Sequence, residues 1–344
     1  MTDKLQNILD KTVDNKNIFG AVLSLESPSV SWTGSSGNIE NDSSIFIAST
    51  TKLYTTTLIY QLCFEKRIDL DDKLSKYLDA SILEGLHFFK GHDYSDLITI
   101  RHLISHTSGL PDYFEQKDAK GIVLLDEITS GRDSSWSFED VIVLSKSMKP
   151  KFIPGAKGKA FYSDTNFQLL GKIIEVVTDK SFDQNLQERI VKRLNLEHTY
   201  MYRDPKDKRP KAIYFKQNTL DIPRAMSSFG PDGGIVSTAH EVMIFLKAFF
   251  EGTLFPKDYI KEAQVWNPMF FPLEYGVGMM RFKLPRIFSP FKPLPELIGH
   301  SGLSGAFAFY VPEKEIFLTG TVNQIHNPGR SFKLMLKIIN IIDS

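Results

Sequence analysis

The run Ala48-Ser49-Thr50-Thr51-Lys52 opens an apolar stretch that continues through Leu53, Leu58, Ile59 and Leu62. This pattern predicts a helix beginning near Ser49, which puts residues 49 and 52 one turn apart on the same face. A hydroxyl and an amine then meet at the positive end of a helix dipole, where developing negative charge is favoured. The same S-x-x-K spacing recurs as Ser289-Pro290-Phe291-Lys292. Pro293 and Pro295 follow that copy and forbid a continuing helix. Only the first copy reads as a nucleophile with a base beside it.

A lysine is ordinarily protonated at neutral pH and cannot take a proton from serine, so the chemistry demands a partner. Tyr162-Ser163-Asp164-Thr165-Asn166 can supply it, with the Tyr162 phenol relaying a proton and Asp164 and Asn166 holding the lysine and the substrate. In isolation the same stretch also reads as a helix N-cap with a packed tyrosine. A third element is Gly299-His300-Ser301-Gly302-Leu303, just before the strand-like run Ala306 to Val311. Its small residues let a substrate lie along a strand edge, and the Leu303 and Ser49 N–H groups can form an oxyanion hole. The plainer reading is a Gly-rich entry into a strand.

Outward from these motifs, both ends of the chain carry strand patterns. Phe19 to Leu25 and Val30 to Trp32 flank Ser27-Pro28-Ser29 near the start. Ala306 to Val311 and Ile316 to Val322 flank Pro312-Glu313-Lys314 near the end. Amphipathic helices are predicted over about 5–13 and from about Ser331 to Ile342. The middle reads as helices: Thr99 to Ser105, Phe138 to Met148, Phe167 to Thr178 and Phe182 to Leu194. Ser137 with Asp140 reads as an N-cap, and Thr238 with Glu241 as a capping box. Strands from both termini form one sheet, a helical region is inserted, and a cleft lies at the join.

The chain has 344 residues, 42% hydrophobic and 24% charged, with 41 basic residues against 41 acidic ones. This is a globular balance whose zero net charge gives no footprint for nucleic acid. A lone cysteine, Cys63, excludes an intrachain disulfide and reads as a buried thiol. No run approaches a membrane span. As written the chain starts without a secretory signal, which points to the cytoplasm, or to the periplasm or exterior if a leader has been removed. Nothing in the sequence assigns an oligomeric state.

Together, in this order, Ser49 to Lys52, Tyr162-Ser163-Asp164 and His300-Ser301-Gly302 resemble the motifs of the serine β-lactamase and penicillin-binding-protein superfamily. The closest likeness is to its class C β-lactamase-like branch, which includes DD-peptidases, D-aminopeptidases and carboxylesterases. The connecting stretches Ser105-His106-Thr107-Ser108-Gly109-Leu110-Pro111-Asp112-Tyr113, Phe152-Ile153-Pro154-Gly155 and Gly233-Gly234-Ile235-Val236-Ser237-Thr238 fit the same branch, and the likeness spans roughly residues 18 to 324. It implies an α/β fold of the α+β type, with an antiparallel sheet flanked by helices and a mostly helical insert. The sheet domain would take residues 1–60 and 230–344 and the insert 61–229, with the site between them. It further implies acylation of Ser49 by a small-molecule or short-peptide substrate. Lys52 and Tyr162 would share the base role, Asp164, Asn166, His300, Ser301, Gly302 and Leu303 would bind substrate, and no metal or organic cofactor would be needed.

Two departures bear on substrate. Asp164 stands where the tyrosine motif usually ends in Asn, and its carboxylate would hold the Lys52 ammonium and disfavour anionic substrates. His300 stands where the β-lactamases of this branch usually carry lysine, and a neutral imidazole attracts a carboxylate less. Both favour ester or amide hydrolysis over β-lactamase or D-Ala-D-Ala carboxypeptidase activity. A non-catalytic penicillin-binding scaffold is the remaining alternative.

Three other patterns carry weaker signals. His102 and His106 lie four apart, but no Glu follows His102, so H-E-x-x-H fails. Gly302-Leu303-Ser304-Gly305-Ala306 lacks the last glycine of a G-x-S-x-G elbow. The stretch from Phe270 to Pro295, with Phe270, Phe271, Tyr275, Phe282, Phe288 and Phe291, lines an acyl pocket or covers the cleft, or else packs as core and surface loop.

Overall fold

The computed structural model describes residues 1–285, 287 and 294–342. The second S-x-x-K copy, with Phe288 and Phe291, lies outside the described residues. Eight strands form one antiparallel sheet: β1 (Gly20–Glu26), β2 (Ser31–Gly37), β3 (Asn267–Phe270), β4 (Leu273–Tyr275), β5 (Met280–Phe282), β6 (Leu297–Ser301), β7 (Ala306–Val311) and β8 (Ile316–Thr321). Their order is β3-β4-β5-β6-β7-β8-β1-β2, so the two ends of the chain meet where β8 pairs β1, with Val22 opposite Thr321.

Both faces of this sheet are covered, because side chains alternate across a strand. Ala306, Ala308, Val22 and Phe317 join a core with the helix α4 (Ala239–Glu251). Phe307, Phe309, Leu23, Leu25 and Leu318 join another core with α1 (Thr2–Thr12) and α5 (Gly329–Ile342). Two further helices carry the chemistry. The helix α2 (Thr51–Phe64) is buried at every position from Thr51 to Leu62, the mark of a helix with no solvent face. Three of its polar side chains find backbone acceptors: Thr55 donates to the Pro231 carbonyl at 2.6 Å, Thr56 to Gly278 at 3.0 Å and Tyr60 to Val277 at 2.6 Å. The helix α3 (Asp164–Thr178) packs beside it.

Local differences from the sequence reading have identifiable causes. Gly299 to Leu303 is no mere entry: Leu297–Ser301 is itself a strand, paired to β7 with Ser301 opposite Phe307. The helix from Phe182 is α-helical only to Leu186 and widens into a π turn over Gln187–Val191. Ser137 and Asp140 form a reciprocal capping box. The Thr238 box is only half made. Its hydroxyl accepts the Glu241 N–H at 3.1 Å, but the Glu241 carboxylate is drawn away to the N–H groups of Glu197 and His198 and the Thr199 hydroxyl. Cys63 is half-buried, and burial pushes its thiol up to about 12. No helix among the described residues is long and apolar enough to cross a membrane.

Candidate active site

Ser49 sits in a 3₁₀ turn, Ala48–Thr50, that leads into α2. The turn begins from a strained residue: Ala48 has φ +46°, a left-handed conformation costly for a residue with a Cβ. Flanking hydrogen bonds hold it, from Ile47 N–H to the Ile235 carbonyl and from Thr50 N–H to the Ile47 carbonyl, both 3.1 Å. Gly302 closes over the same turn. A Cβ there would stand 2.3 Å from the Ile47 oxygen, so only glycine fits.

One turn along, Lys52 is fully buried. Its Nζ donates to three acceptors: Ser49 Oγ at 3.2 Å, Asp164 Oδ1 at 2.5 Å and the Asp232 carbonyl at 2.7 Å. The closest of the three, to Asp164, makes a buried lysine–carboxylate ion pair. Asp164 has almost no exposure; burial pushes its carboxyl up and Lys52 opposes the push.

Tyr162 lies 5.0 Å, ring centroid to Nζ, from Lys52. Its hydroxyl is buried with no hydrogen-bond partner of good geometry. Burial and the Asp164 carboxylate drive the phenol well above its ordinary range, with Ser49 opposing in part. The ring stacks on His106 at 4.5 Å between centroids. His106 Nδ1 accepts the Ser163 N–H at 3.1 Å and the Asn166 amide at 3.0 Å, which places the imidazole proton on Nε2. Burial and the Lys52 charge keep that ring neutral.

The cleft above Ser49 holds about 820 Å³ and is lined by Asp112, Glu115, Lys117, Leu125, Lys151, Phe161, Tyr162, Met269, Phe270, Met280, Ser301, Gly302 and Leu303, among others. Of the stretch after Phe270, Phe270 faces the cleft while Tyr275 and Phe282 are core. The expected substrate binders divide. Ser301, Gly302 and Leu303 line the cleft, and Asp164 lines a narrower pocket beside Ser49. Asn166 is fully buried, accepting from Ser108 at 2.6 Å and donating to His106. His300 is fully buried as well: Nδ1 donates to the Ser301 carbonyl at 2.8 Å, so Nε2 accepts from the Tyr275 hydroxyl at 3.1 Å. Burial, then Lys52, pushes its imidazole down to about 3. Both residues hold the site's walls; neither reaches its solvent.

Several contributors escaped the sequence reading. Asp112 is buried and accepts the N–H groups of Asp164 at 2.9 Å and Glu115 at 3.0 Å. Burial, Asp164 and Glu115 push its carboxyl up. The Asp232 carboxylate takes the Tyr113 hydroxyl at 2.7 Å, the Gln168 amide at 2.9 Å and the Gly230 N–H at 3.0 Å. Loss of solvation, then the Asp164 charge, pushes the Glu115 carboxyl up to about 7 against the pull of Lys52, and its exposure to the open cleft lets water moderate that push. Asp112 and His106 lie inside a recognised segment and Asp232 just before Gly233-Gly234, Tyr275 belongs to the aromatic stretch after Phe270, and Glu115 has no sequence signal. The weaker patterns resolve into structure: His102 caps its helix with Thr99, and Ser304 donates to the Phe46 carbonyl at 2.6 Å.

A sheet of this topology between helices, with a serine–lysine pair opening on a cleft, is the frame of the penicillin-recognising serine hydrolases. The chain belongs to the Beta-lactamase family, whose model matches residues 5–337. It is 25% identical, over 82% of its length and 69% of the relative's, to a Salmonella agona protein provisionally named a D-alanyl-D-alanine carboxypeptidase. A D-stereospecific amidohydrolase from Streptomyces sp. shares 27% identity and a TM-score of 0.79, covering 97% of this chain and 98% of that one. The D-amino acid amidase of Ochrobactrum anthropi, at 22% identity, has the same fold over essentially both whole chains, with a TM-score of 0.79.

Proposed function

We propose that this serine hydrolase cleaves amides, and activated esters, of small amine-bearing acyl groups through an acyl-Ser49 intermediate. The observation that carries the reading is Lys52 Nζ at 3.2 Å from Ser49 Oγ beside an open cleft. Ser49 attacks the carbonyl, its proton passes toward Lys52, and the N–H groups of Ser49 and Leu303 receive the oxyanion. Tyr162, whose raised phenol stays protonated at neutral pH, acts as proton donor to the leaving group and not as phenolate base.

Substrate class follows from the lining. Glu115 offers a carboxylate to an α-ammonium, while Leu125, Phe161, Met269, Phe270, Met280 and Leu303 offer an apolar wall to a side chain. Where related β-lactamases carry a lysine, the neutral, enclosed His300 gives a substrate carboxylate nothing to bind, which weighs against β-lactams and D-Ala-D-Ala peptides. The name of the similar Streptomyces protein, a D-stereospecific amidohydrolase, supports amide cleavage with preference for the D configuration.

The test compares kcat/KM over D- and L-amino-acid p-nitroanilides, p-nitrophenyl esters and a chromogenic cephalosporin. D-Amino-acid anilides should lead among amides, Ser49→Ala should abolish turnover, and mass spectrometry should find the acyl group on Ser49. Acylation at another residue sinks the nucleophile; a preference for the cephalosporin sinks the substrate class.

A further inference from the structure

We propose that Asp164 is the proton acceptor of the catalytic lysine, so that the working base is the Lys52–Asp164 pair. The inference rests on the acyl-Ser49 reading above and goes beyond it by giving the unusual carboxylate a task. Lys52 forms a buried ion pair with Asp164, and as the cation of that pair it turns its three N–H bonds to Ser49 Oγ, Asp164 Oδ1 and the Asp232 carbonyl and has no lone pair free. To receive the Ser49 proton it must first surrender one of its own. Ser49 is the proton source, and a peptide carbonyl has almost no basicity. Asp164, at 2.5 Å, is the remaining acceptor.

The surroundings single out Asp164 among the acids. The Asp232 carboxylate is already occupied by Tyr113, Gln168 and Gly230, and offers the lysine only its backbone oxygen. Asp112 receives backbone N–H groups and does not bond the amine. The acids facing Asp164 are Asp112, Glu115 and Asp232, with the phenols of Tyr113 and Tyr162; His106 and His300 are neutral. Buried acid neighbours outnumber the one lysine, an arrangement that favours a neutral Asp164 once the lysine proton is offered.

The step balances. An Nζ–H bond breaks as Oδ1–H forms, leaving amine and carboxylic acid. The Oγ–H bond then breaks as a new Nζ–H forms, and the Oγ electron pair goes to the substrate carbonyl carbon. The negative charge that began on Asp164 ends on the tetrahedral oxygen, with net charge unchanged. When the leaving group takes the Tyr162 proton, the Asp164 O–H bond breaks as Lys52 regains that proton and passes one of its own to the Tyr162 phenolate, which restores carboxylate, ammonium and phenol.

Asp164→Asn keeps the size and removes the acceptor. If the carboxylate merely pinned the lysine as ammonium, the amide would free the amine and speed acylation at pH 7. The relay expects the opposite: acylation by a p-nitrophenyl ester about 10²-fold slower at pH 7. Acylation at pH 7 as fast as wild type, with acyl-Ser49 found in both proteins, overturns the relay alone. Absence of acyl-Ser49 from wild type overturns the nucleophile and the relay with it. If the Asn variant loses its near-UV signature, Asp164→Ala is assayed with added formate or formamide. Rescue by formate alone supports the relay; equal rescue by both, or none, overturns it.

Discussion

Gly302→Ala tests whether the nucleophile is held by backbone packing. A Cβ at 302 would lie 2.3 Å from the Ile47 oxygen and 3.1 Å from the Ala48 Cβ, so the first contact is roughly 1 Å short of an ordinary one. Neither side yields easily. Gly302 N–H is bonded to the Ala306 carbonyl at 2.7 Å, and Ile47 is fixed to Ile235 on one side and Thr50 on the other. The residue between them and Ser49 is Ala48, already at φ +46°. The shift therefore passes into the position of Ser49 Oγ. Overpacking of this kind costs about 1–3 kcal/mol of stability, and a displacement of about 1 Å at a reacting atom costs about 10² in rate. The assay is kcat/KM on a p-nitrophenyl ester together with the urea midpoint. Gly85→Ala serves as control: at φ +73° with nothing within 4 Å of its would-be Cβ, it should lose about 1 kcal/mol and keep its kcat/KM. A Gly302→Ala enzyme within threefold of wild type refutes the packing argument.

Tyr162→Phe should slow amide turnover by about 10²–10⁴ yet cost a p-nitrophenyl ester less than about tenfold, because nitrophenolate leaves without a proton; equal losses on both substrates would remove the phenol as leaving-group acid. Lys52→Ala strands a buried carboxyl and should cost about 3–5 kcal/mol at pH 8. With the lysine gone, the Asp164 pKa stays raised above its unfolded value, so the variant is most stable below the ordinary aspartate range and weakens as pH rises through the shifted value; urea midpoints that do not fall as pH rises above the ordinary aspartate range contradict this. Glu115 binds an α-ammonium only when ionised, so KM for amine-bearing anilides should improve as pH rises through an inflection between the usual glutamate range and about 7. Glu115→Gln should erase that inflection while leaving KM for simple esters within twofold, and an unchanged profile would exclude Glu115 from amine binding.

The parts legible in the sequence were those with a local period or a short spacing. Ala306 to Val311 alternates across a sheet, α2 follows a continuous apolar run, and Ser49 and Lys52 stand three apart on one turn. What escaped was set by distant partners. Leu297–Ser301 is a strand because β5 and β7 flank it, not because its residues favour one. Glu241 left its capping box for backbone donors at 197 and 198. The motif position of His300 predicts a group facing substrate, but the Tyr275 hydroxyl and Ser301 carbonyl satisfy both ring nitrogens inside the protein. A motif position carries residue type and order; which way the side chain turns depends on groups far along the chain.

The same point gives a physical meaning to the segment from His106 to Tyr113, which touches the proposed chemistry hardly at all. It acts as a template for the tyrosine stretch. The His106 carbonyl receives the Phe161 N–H at 2.9 Å and its Nδ1 the Ser163 N–H, while the Pro111 carbonyl takes the Ser163 hydroxyl at 2.8 Å. Asp112 takes the Asp164 N–H, and Tyr113 N–H reaches the Thr165 hydroxyl at 3.2 Å. Five successive residues, 161 to 165, are thus pinned or backed by one loop, with Tyr162 sandwiched through its ring on His106. His106 can do this only at φ +56°, a strained conformation for a non-glycine residue. The strain is tolerable because it aims one imidazole at a backbone N–H, a side-chain amide and an aromatic face together. Lys52 then meets a phenol and a carboxylate whose positions were fixed before any substrate arrived, which is where preorganisation gains its rate.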